Sequence, residues 1–181
     1  MSVVGAQDVL TFWRAAGPPK WFRKSADFDH EITQRFLACH EDAAAGRLAD
    51  WEATPEGALA LLILLDQFPR NMFRDSARAF ATDPLARTVA ERAVARGLHR
   101  QMPSGERMFF QLPFEHSENL ADQERSLALS REINGGKADS YAEGHADIIR
   151  RFGRFPHRNA TLGRLTTPEE QAFLDGGGFA G

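Results

Sequence analysis

The chain has 181 residues, a formal net charge of -3 and a single cysteine, Cys39. The length is that of one domain of ordinary size, and the slight negative charge argues against a globally basic nucleic-acid binder. One cysteine excludes an internal disulfide framework and any multi-cysteine zinc or iron–sulfur site. The 27 alanines and 17 leucines, against five valines and five isoleucines, indicate a helical chain because strands favour β-branched side chains.

Proline, glycine and N-cap residues delimit the predicted helices. In chain order these helices cover residues 7–16, 27–45, 54–68, 83–97, 104–111, 117–133, 141–152 and 167–174. The second takes Asp27 as its N-cap, the third starts at Thr54 and stops at or before Pro69, and the fourth starts at Asp83. The fifth ends before Pro113.

Short links between the helices and the lack of any convincing strand predict one all-α domain over residues 1–181. We expect seven to eight antiparallel helices, in a bundle or a stacked array of helix pairs. The glycine-rich tail, GGGFAG, is expected to be loose from about residue 175.

No feature of the sequence predicts a targeting or membrane segment. The start, MSVVGAQDVLTFW, has no basic region and no cleavage-like site of small residues. The longest apolar run, residues 57–65, is far shorter than the roughly 20 residues that span a bilayer. With one cysteine, the expected address is cytoplasmic, with no membrane partner.

Two helix ends share a pattern of phenylalanine, proline, arginine and asparagine. The first is LLDQFPRN at residues 64–71, and the second is RRFGRFPHRN at residues 150–159. Chance is one explanation, since helices often end before proline. The other is that both ends contribute polar groups to one site.

Asp66 lies on an apolar helix near its C-terminus, where the helix dipole disfavours a negative charge. Its position predicts burial, and an unpaired buried carboxylate costs several kcal/mol or becomes protonated. We therefore expect a cationic partner, with an arginine favoured. A salt bridge that joins two helices is the structural interpretation, and a functional carboxylate is the alternative.

A concentrated cationic stretch covers residues 148–168 and contains no acid. Its basic residues are Arg150, Arg151, Arg154, Arg158, Arg164 and His157. One interpretation is an internal network with Asp66 and the acids of residues 115–124. A second is an anion site, since arginine matches phosphate and carboxylate, and a third is a nucleic-acid groove.

His116 and Glu118 are candidate chemical groups beside the start of one predicted helix, and Asp122 follows Glu118 by four residues. An imidazole and two carboxylates suit a divalent cation, but no HExxH or paired E-x-x-H signature is present, so no metal site or cofactor is predicted. His157 is flanked by arginine charge that lowers an imidazole pKa, which favours a role as a base. His145 lies on an apolar stripe and is interpreted as a core residue.

Several long motifs resemble one bacterial family, known as domain of unknown function nine-two-four. They include FW at 12–13, WF at 21–22, LLDQFPRN at 64–71, AF at 79–80 with Asp83, ERMFFQLPFEHSENLADQE at 106–124, and RFGRFPHRNATLGR at 151–164 with Thr167 and Glu170. The resemblance runs from about residue 9 to 174 and implies a tetratricopeptide-like αα-superhelix. It implies no activity and carries over no catalytic roles.

The leading hypothesis is a domain that binds a small anionic ligand or a peptide in one polar pocket, with no nucleic acid. The residues expected to converge there are Asp66, Arg70, Asn71, His116, Glu118, Arg154, His157, Arg158, Asn159 and Arg164. The first alternative is an enzyme of the hydrolase type, with His116, Glu118 and His157 as candidate catalytic residues. The second is an interaction scaffold whose polar motifs form a buried structural network. The oligomeric state does not follow from the sequence.

Overall fold

The computed structural model describes residues 4–179, and within that range it contains helices and no strand. Eight α-helices have at least eight residues, which confirms the all-α class and the expected seven to eight helices. They are α1 (Ala6–Ala16), α3 (Ala26–Ala44), α4 (Pro55–Leu62), α6 (Asp83–Ala95), α7 (Met108–Glu115), α8 (Leu120–Ile133), α9 (Ser140–Phe152) and α10 (Pro168–Asp175), with the short α2 (Pro18–Trp21) and α5 (Phe68–Met72) between them. None of these helices is long and apolar enough to cross a bilayer.

The chain divides into two compact units. Among the described residues, unit one comprises 4–74 and 78–113, and unit two comprises 75–77 and 114–179. The single-domain organisation and the repeat superhelix stay predictions.

Three of the predicted helix boundaries follow from their capping residues. The Thr54 side chain accepts a hydrogen bond from the N–H of Gly57 at the start of α4. Thr167 and Glu170 form a reciprocal capping box at the start of α10. Gly153 ends α9 in the left-handed conformation, with φ of 69°, which glycine adopts without steric cost.

Two predicted N-caps are wrong, and in each case the neighbouring residue takes the position. Ser25, not Asp27, precedes α3, and its hydroxyl accepts from the N–H of Phe28. Thr82, not Asp83, precedes α6. The carboxylate of Asp83 instead accepts a hydrogen bond from Arg70 at 2.8 Å, a tertiary contact that the local pattern does not reveal.

Helical backbone continues through Pro69 to Met72, so the prediction that the helix stops there is wrong. The reason is a π-helical segment, Ile63–Gln67, inserted between α4 and α5. The N–H of Phe68 bonds to the carbonyl of Ile63, five residues back, which frees the carbonyl of Leu64. His40 Nδ1 lies 2.8 Å from that oxygen and donates to it. Since Pro69 has no N–H, the carbonyl of Leu65 also lacks its α-helical hydrogen-bond donor. The Thr82 hydroxyl donates to this carbonyl at 2.6 Å.

We expect Thr82→Val to lower the free energy of unfolding by about 2 kcal/mol, because the Leu65 carbonyl would lose its hydrogen bond without access to water. Urea denaturation measures the change. The matched control is Thr88→Val, whose hydroxyl bonds to the Pro84 carbonyl on the exposed face of α6. An equal effect at both threonines would show that the π-helical carbonyl does not depend on Thr82.

Pro113 also lies inside a helix, since α7 runs to Glu115 rather than ending at residue 111. The predicted helix over 104–111 is a 3₁₀ turn, Ser104–Glu106, followed by α7. The fifth long helix therefore begins and ends about four residues later along the chain than the sequence predicts.

The described part of the glycine-rich tail makes specific contacts. Gly177 and Gly178 donate backbone hydrogen bonds to the carbonyls of Leu174 and Phe173. Phe179 packs on the apolar cluster of Ile148, Ile149 and Phe155. The last two residues of the predicted loose tail, Ala180 and Gly181, lie outside the described residues.

Candidate functional site

The residues predicted to converge fall in both compact units. Asp66, Arg70 and Asn71 belong to unit one. The others belong to unit two: His116, Glu118, Arg154, His157, Arg158, Asn159 and Arg164. The two groups are therefore described separately, and their convergence into one pocket stays a prediction.

Asp66 is buried, with an exposed fraction of 1%, as its place in an apolar helix predicts. It lies in the π-helical segment, and its Oδ2 accepts a hydrogen bond of 2.6 Å from the side-chain amide of Gln67. An arginine partner for Asp66 stays a prediction.

Arg70 and Asn71 have carboxylate partners within unit one. Arg70 donates to Asp83 and to the backbone carbonyl of Ala79. Asn71 donates to Asp29 at 2.7 Å, and Arg74 binds the same carboxylate through two nitrogen atoms. These contacts tie α5 to α3 and α6, which is a structural use of the LLDQFPRN motif.

Glu170 collects several donors in unit two. Arg154 binds it with two hydrogen bonds of 2.5 and 2.8 Å, the Asn159 amide donates at 3.1 Å, and the Thr167 N–H donates at 2.8 Å. Glu170 is only 2% exposed. The Arg154 hydrogen bonds are the main cause that lowers the pKa of Glu170 to about 2, so the carboxylate is charged at neutral pH.

Glu118 holds a second ion pair of the same kind. Arg164 binds its two oxygen atoms at 2.7 and 3.0 Å, and the N–H of Phe155 donates to Oε1 at 2.8 Å. Burial alone would raise the pKa of Glu118, but the hydrogen bonds from Arg164 and Phe155 outweigh it, and the pKa lies below its usual range. Arg164 also donates to Asn159, which links the two ion pairs.

These contacts confirm the internal-network interpretation for Arg150 and Arg164, whose partners are among the acids of residues 115–124, whereas Arg154 binds Glu170, an acid outside the predicted set. Arg154 binds Glu170, Arg164 binds Glu118, and Arg150 binds Glu124 at 2.5 Å. These ion pairs connect α9, α10 and the loop between them to α8 and to the segment before α8. A catalytic role for Glu118 would compete with its ion pair to Arg164.

Arg158, His145 and His157 surround the fully buried ring of Phe155, and His116 lies beside His145. The Arg158 guanidinium lies 4.5 Å from the ring centre, and its Nη1 donates to the carbonyl of His116 at 3.0 Å. The rings of His145 and His157 lie 5.4 and 5.6 Å from Phe155. The ring of His116 lies 6.4 Å from that of His145. We call His116, His145, His157 and Arg158 the histidine cluster.

His145 is the most perturbed member of the histidine cluster. Burial is the main cause that lowers the pKa of His145 to about 4, and the charges of His116 and Arg158 act in the same direction. Its Nδ1 lies 2.8 Å from the carbonyl of Tyr141 and 3.3 Å from Oε1 of Glu115. Because a carbonyl only accepts, Nδ1 carries the hydrogen atom, and Nε2 is the nitrogen that accepts a proton.

The interpretation of His145 as a core residue is confirmed, since it is buried and its Nδ1 bonds to the carbonyl of Tyr141. Sequence reasoning missed two residues beside it. Glu115 was only one of several acids, yet it is buried beside His145. Phe179 was placed in a loose tail, yet its ring lies 4.6 Å from His145 and 5.1 Å from His157. The one sequence signal for this site was the adjacency of Glu115 and His116 along the chain.

The acids beside His116 serve as local hydrogen-bond acceptors. Asp122 accepts from the Ser117 hydroxyl at 2.6 Å at the start of α8. Across residues 4–179 the structure contains no group of three His, Cys, Asp or Glu side chains placed to hold a metal ion.

Comparison with known proteins places the chain among proteins whose function is not known. The model of the family described as bacterial protein of unknown function, DUF924, matches residues 9–178. The structure is also similar to that of a protein of unknown function from Agrobacterium tumefaciens, with 47% sequence identity and a TM-score of 0.90. That match covers 94% of this chain and 97% of the other. No curated protein matches. With nearly its whole length matched by the family model, the chain belongs to the bacterial DUF924 family.

Proposed function

We propose that unit two binds a small ligand through a phosphate or carboxylate group at the histidine cluster. The observation that carries the proposal is the placement of Arg158 and the imidazoles of His145 and His157 around the ring of Phe155, with the imidazole of His116 6.4 Å from that of His145. Arginine and imidazole side chains supply hydrogen-bond donors of the kind that bind phosphate and carboxylate groups.

The surroundings of the histidine cluster support this assignment. Glu118 and Glu170 are engaged by Arg164 and Arg154, so those two carboxylates are locally neutralised. Arg158 is 7% exposed, and a charge in a poorly hydrated place interacts more strongly with a ligand than one in water. Burial is the main cause of the lowered pKa of His145, and the charges of His116 and Arg158 lower it further.

Ligand binding at this position is coupled to proton uptake. An anion next to Nε2 of His145 favours the imidazolium, so it raises the pKa of His145 from about 4. The Glu115 carboxylate, 3.3 Å from Nδ1, stabilises the same protonated form. Since the pKa of His145 without the anion is about 4, we expect the affinity for the anion to increase as the pH falls towards 4 through the raised pKa of the bound form.

The test is a titration of the whole protein with inorganic phosphate and with acetate, followed by imidazole NMR signals. Binding shifts the resonances of His145 and His157, and we expect Arg158→Gln to weaken it about tenfold or more. The control is Arg150→Gln, which removes an exposed ion pair with Glu124 and Asp147 and leaves the affinity unchanged.

Two outcomes would contradict the proposal. One is the absence of any imidazole shift with either anion at about 10 mM, which corresponds to a binding free energy weaker than about 3 kcal/mol. The other is an Arg158→Gln variant that loses its helical circular dichroism, which would assign Arg158 to the structural network instead.

A further inference from the structure

Three cations lie close together on the surface of unit one, and within residues 4–179 no ion pair joins any of them to a carboxylate, in contrast to other arginines of this unit. Lys20, Arg23 and Lys24 fall within five residues of a chain whose net charge is -3. We call residues 20–24 the basic segment. Elsewhere in unit one, ion pairs join Arg14 to Glu106, Arg47 to Asp42, Arg70 to Asp83, Arg74 to Asp29, Arg78 to Glu41 and Arg92 to Glu52. At the start of α3, Asp29 is paired with Arg74 and Glu31 with Arg35.

The basic segment is held in place by its aromatic residues. Trp21 stacks on Trp13 at 5.6 Å, and its indole N–H donates to the carbonyl of Trp13 at 2.7 Å. Phe22 follows it and lies 6.5 Å from the ring of Phe109, yet 61% of Phe22 is exposed. An apolar side chain that is anchored on one side and open on the other offers a contact surface at little cost in conformational entropy.

An open recess adjoins these side chains. Its volume is about 430 Å³, and its lining includes Lys20, Arg23 and Lys24 together with Phe28. The Lys20 ammonium lies 5.9 Å from the centre of the Phe28 ring. This volume falls within the usual range for sites that receive a discrete group.

We propose that the basic segment and its recess bind an extended polypeptide in which acidic residues flank an apolar side chain. The acidic side chains contact Lys20, Arg23 and Lys24, and the apolar side chain packs on Phe22. Complementary charge of this kind guides association and fixes the register of the bound segment.

The acids in the same recess decide between a peptide and a polyanion. Asp27 and Glu31 line it together with the three cations. A nucleic acid or an anionic membrane carries negative charge along its whole length or surface, so it would also face these two carboxylates. A peptide can place its carboxylates opposite the cations and a neutral residue opposite Asp27 and Glu31.

Fluorescence anisotropy with labelled synthetic peptides tests the proposal on the whole protein. The probe is a glycine-flanked Asp-Glu-Leu-Asp-Glu peptide, and its reference is the Asn-Gln-Leu-Asn-Gln peptide of the same length. We expect the acidic peptide to bind about tenfold or more tightly than the neutral one, and the difference to shrink at high salt.

Charge reversal locates the binding surface. The double variant R23E/K24E is expected to lose about tenfold or more in affinity for the acidic peptide, and Phe22→Ser a smaller factor of about five. The matched control is Lys137→Glu, which reverses the one lysine outside the basic segment and leaves the affinity unchanged. Helical circular dichroism verifies that each variant is folded.

The proposal is overturned if the acidic and neutral peptides bind equally, or if Lys137→Glu weakens binding as much as R23E/K24E. It is also overturned if single-stranded oligothymidine or phosphatidylserine vesicles bind more tightly than the peptide and lose that binding in R23E/K24E. In that event the basic segment recognises a polyanion and the two acids of the recess do not select against it.

Discussion

Replacing Gly57 with alanine is expected to destabilise unit one by about 3 kcal/mol. A Cβ atom at position 57 would lie 2.0 Å from the backbone oxygen of Trp51 and 3.0 Å from the hydroxyl of Thr54. Because the first contact is with main chain, the steric clash is removed only if the 3₁₀ segment Ala49–Ala53 moves away from α4. Alanine favours helix over glycine by about 1 kcal/mol, but that gain is smaller than the cost of separating two packed backbones.

Urea denaturation of Gly57→Ala measures the loss, and Gly144→Ala is its matched control. Gly144 lies within α9, where an added Cβ meets no atom within 4 Å. The same substitution there is expected to stabilise the protein by up to about 1 kcal/mol. A Gly57→Ala variant as stable as the parent would mean that the Ala49–Ala53 segment yields without cost, contrary to the close approach described above.

Glu170→Ala is expected to lower the free energy of unfolding by about 3 kcal/mol, because it leaves a network of donors without their acceptor. Arg154 and the Asn159 amide both lose their bonds to this carboxylate. The capping box of α10 is lost with it. Urea denaturation at pH 7 measures the effect, and Glu169→Ala is the control because the Glu169 side chain is 67% exposed in its pair with Arg151. Equal effects at the two positions would remove Glu170 from the structural network.

The Glu170 contribution also depends on pH in a defined direction. The pKa of Glu170 falls from an ordinary 4.5 to about 2 on folding, so the stabilisation is complete above about pH 4.5 and disappears as the pH falls towards 2. The parent protein is therefore expected to lose stability over this range more steeply than Glu170→Gln, which has no carboxyl group at that position to titrate.

The helices were predictable where local chemistry defines their ends. Thr54, Gly153 and Thr167 act within one turn of their own helix, so their effect is legible in the sequence. Pro69 misled the prediction because its effect depends on the π-helical segment before it and on donors from His40 and Thr82. Those donors are distant in sequence, and a local pattern does not contain them.

The candidate site shows the same division between local and distant information. The count of arginines and acids indicates an internal network with the acids of residues 115–124, and the pairs of Arg150 with Glu124 and Arg164 with Glu118 confirm it. The partner of Arg154, Glu170, was not among the predicted acids. The histidine cluster was not predictable in this form, because His145 lies on an apolar stripe of α9. Glu115 and Phe179 contact His145 from other parts of unit two, and these contacts are not visible in the local sequence of α9.

The π-helical segment has a consequence for how the chain tolerates changes in length. One extra residue in a helical turn rotates everything after it by about 100° relative to a continuous α-helix. Deleting Leu64 would restore ordinary winding, and it would also turn Arg70 and Asn71 away from Asp83 and Asp29. The direction in which Arg70 and Asn71 point is thus set by a single extra residue in the preceding helical turn.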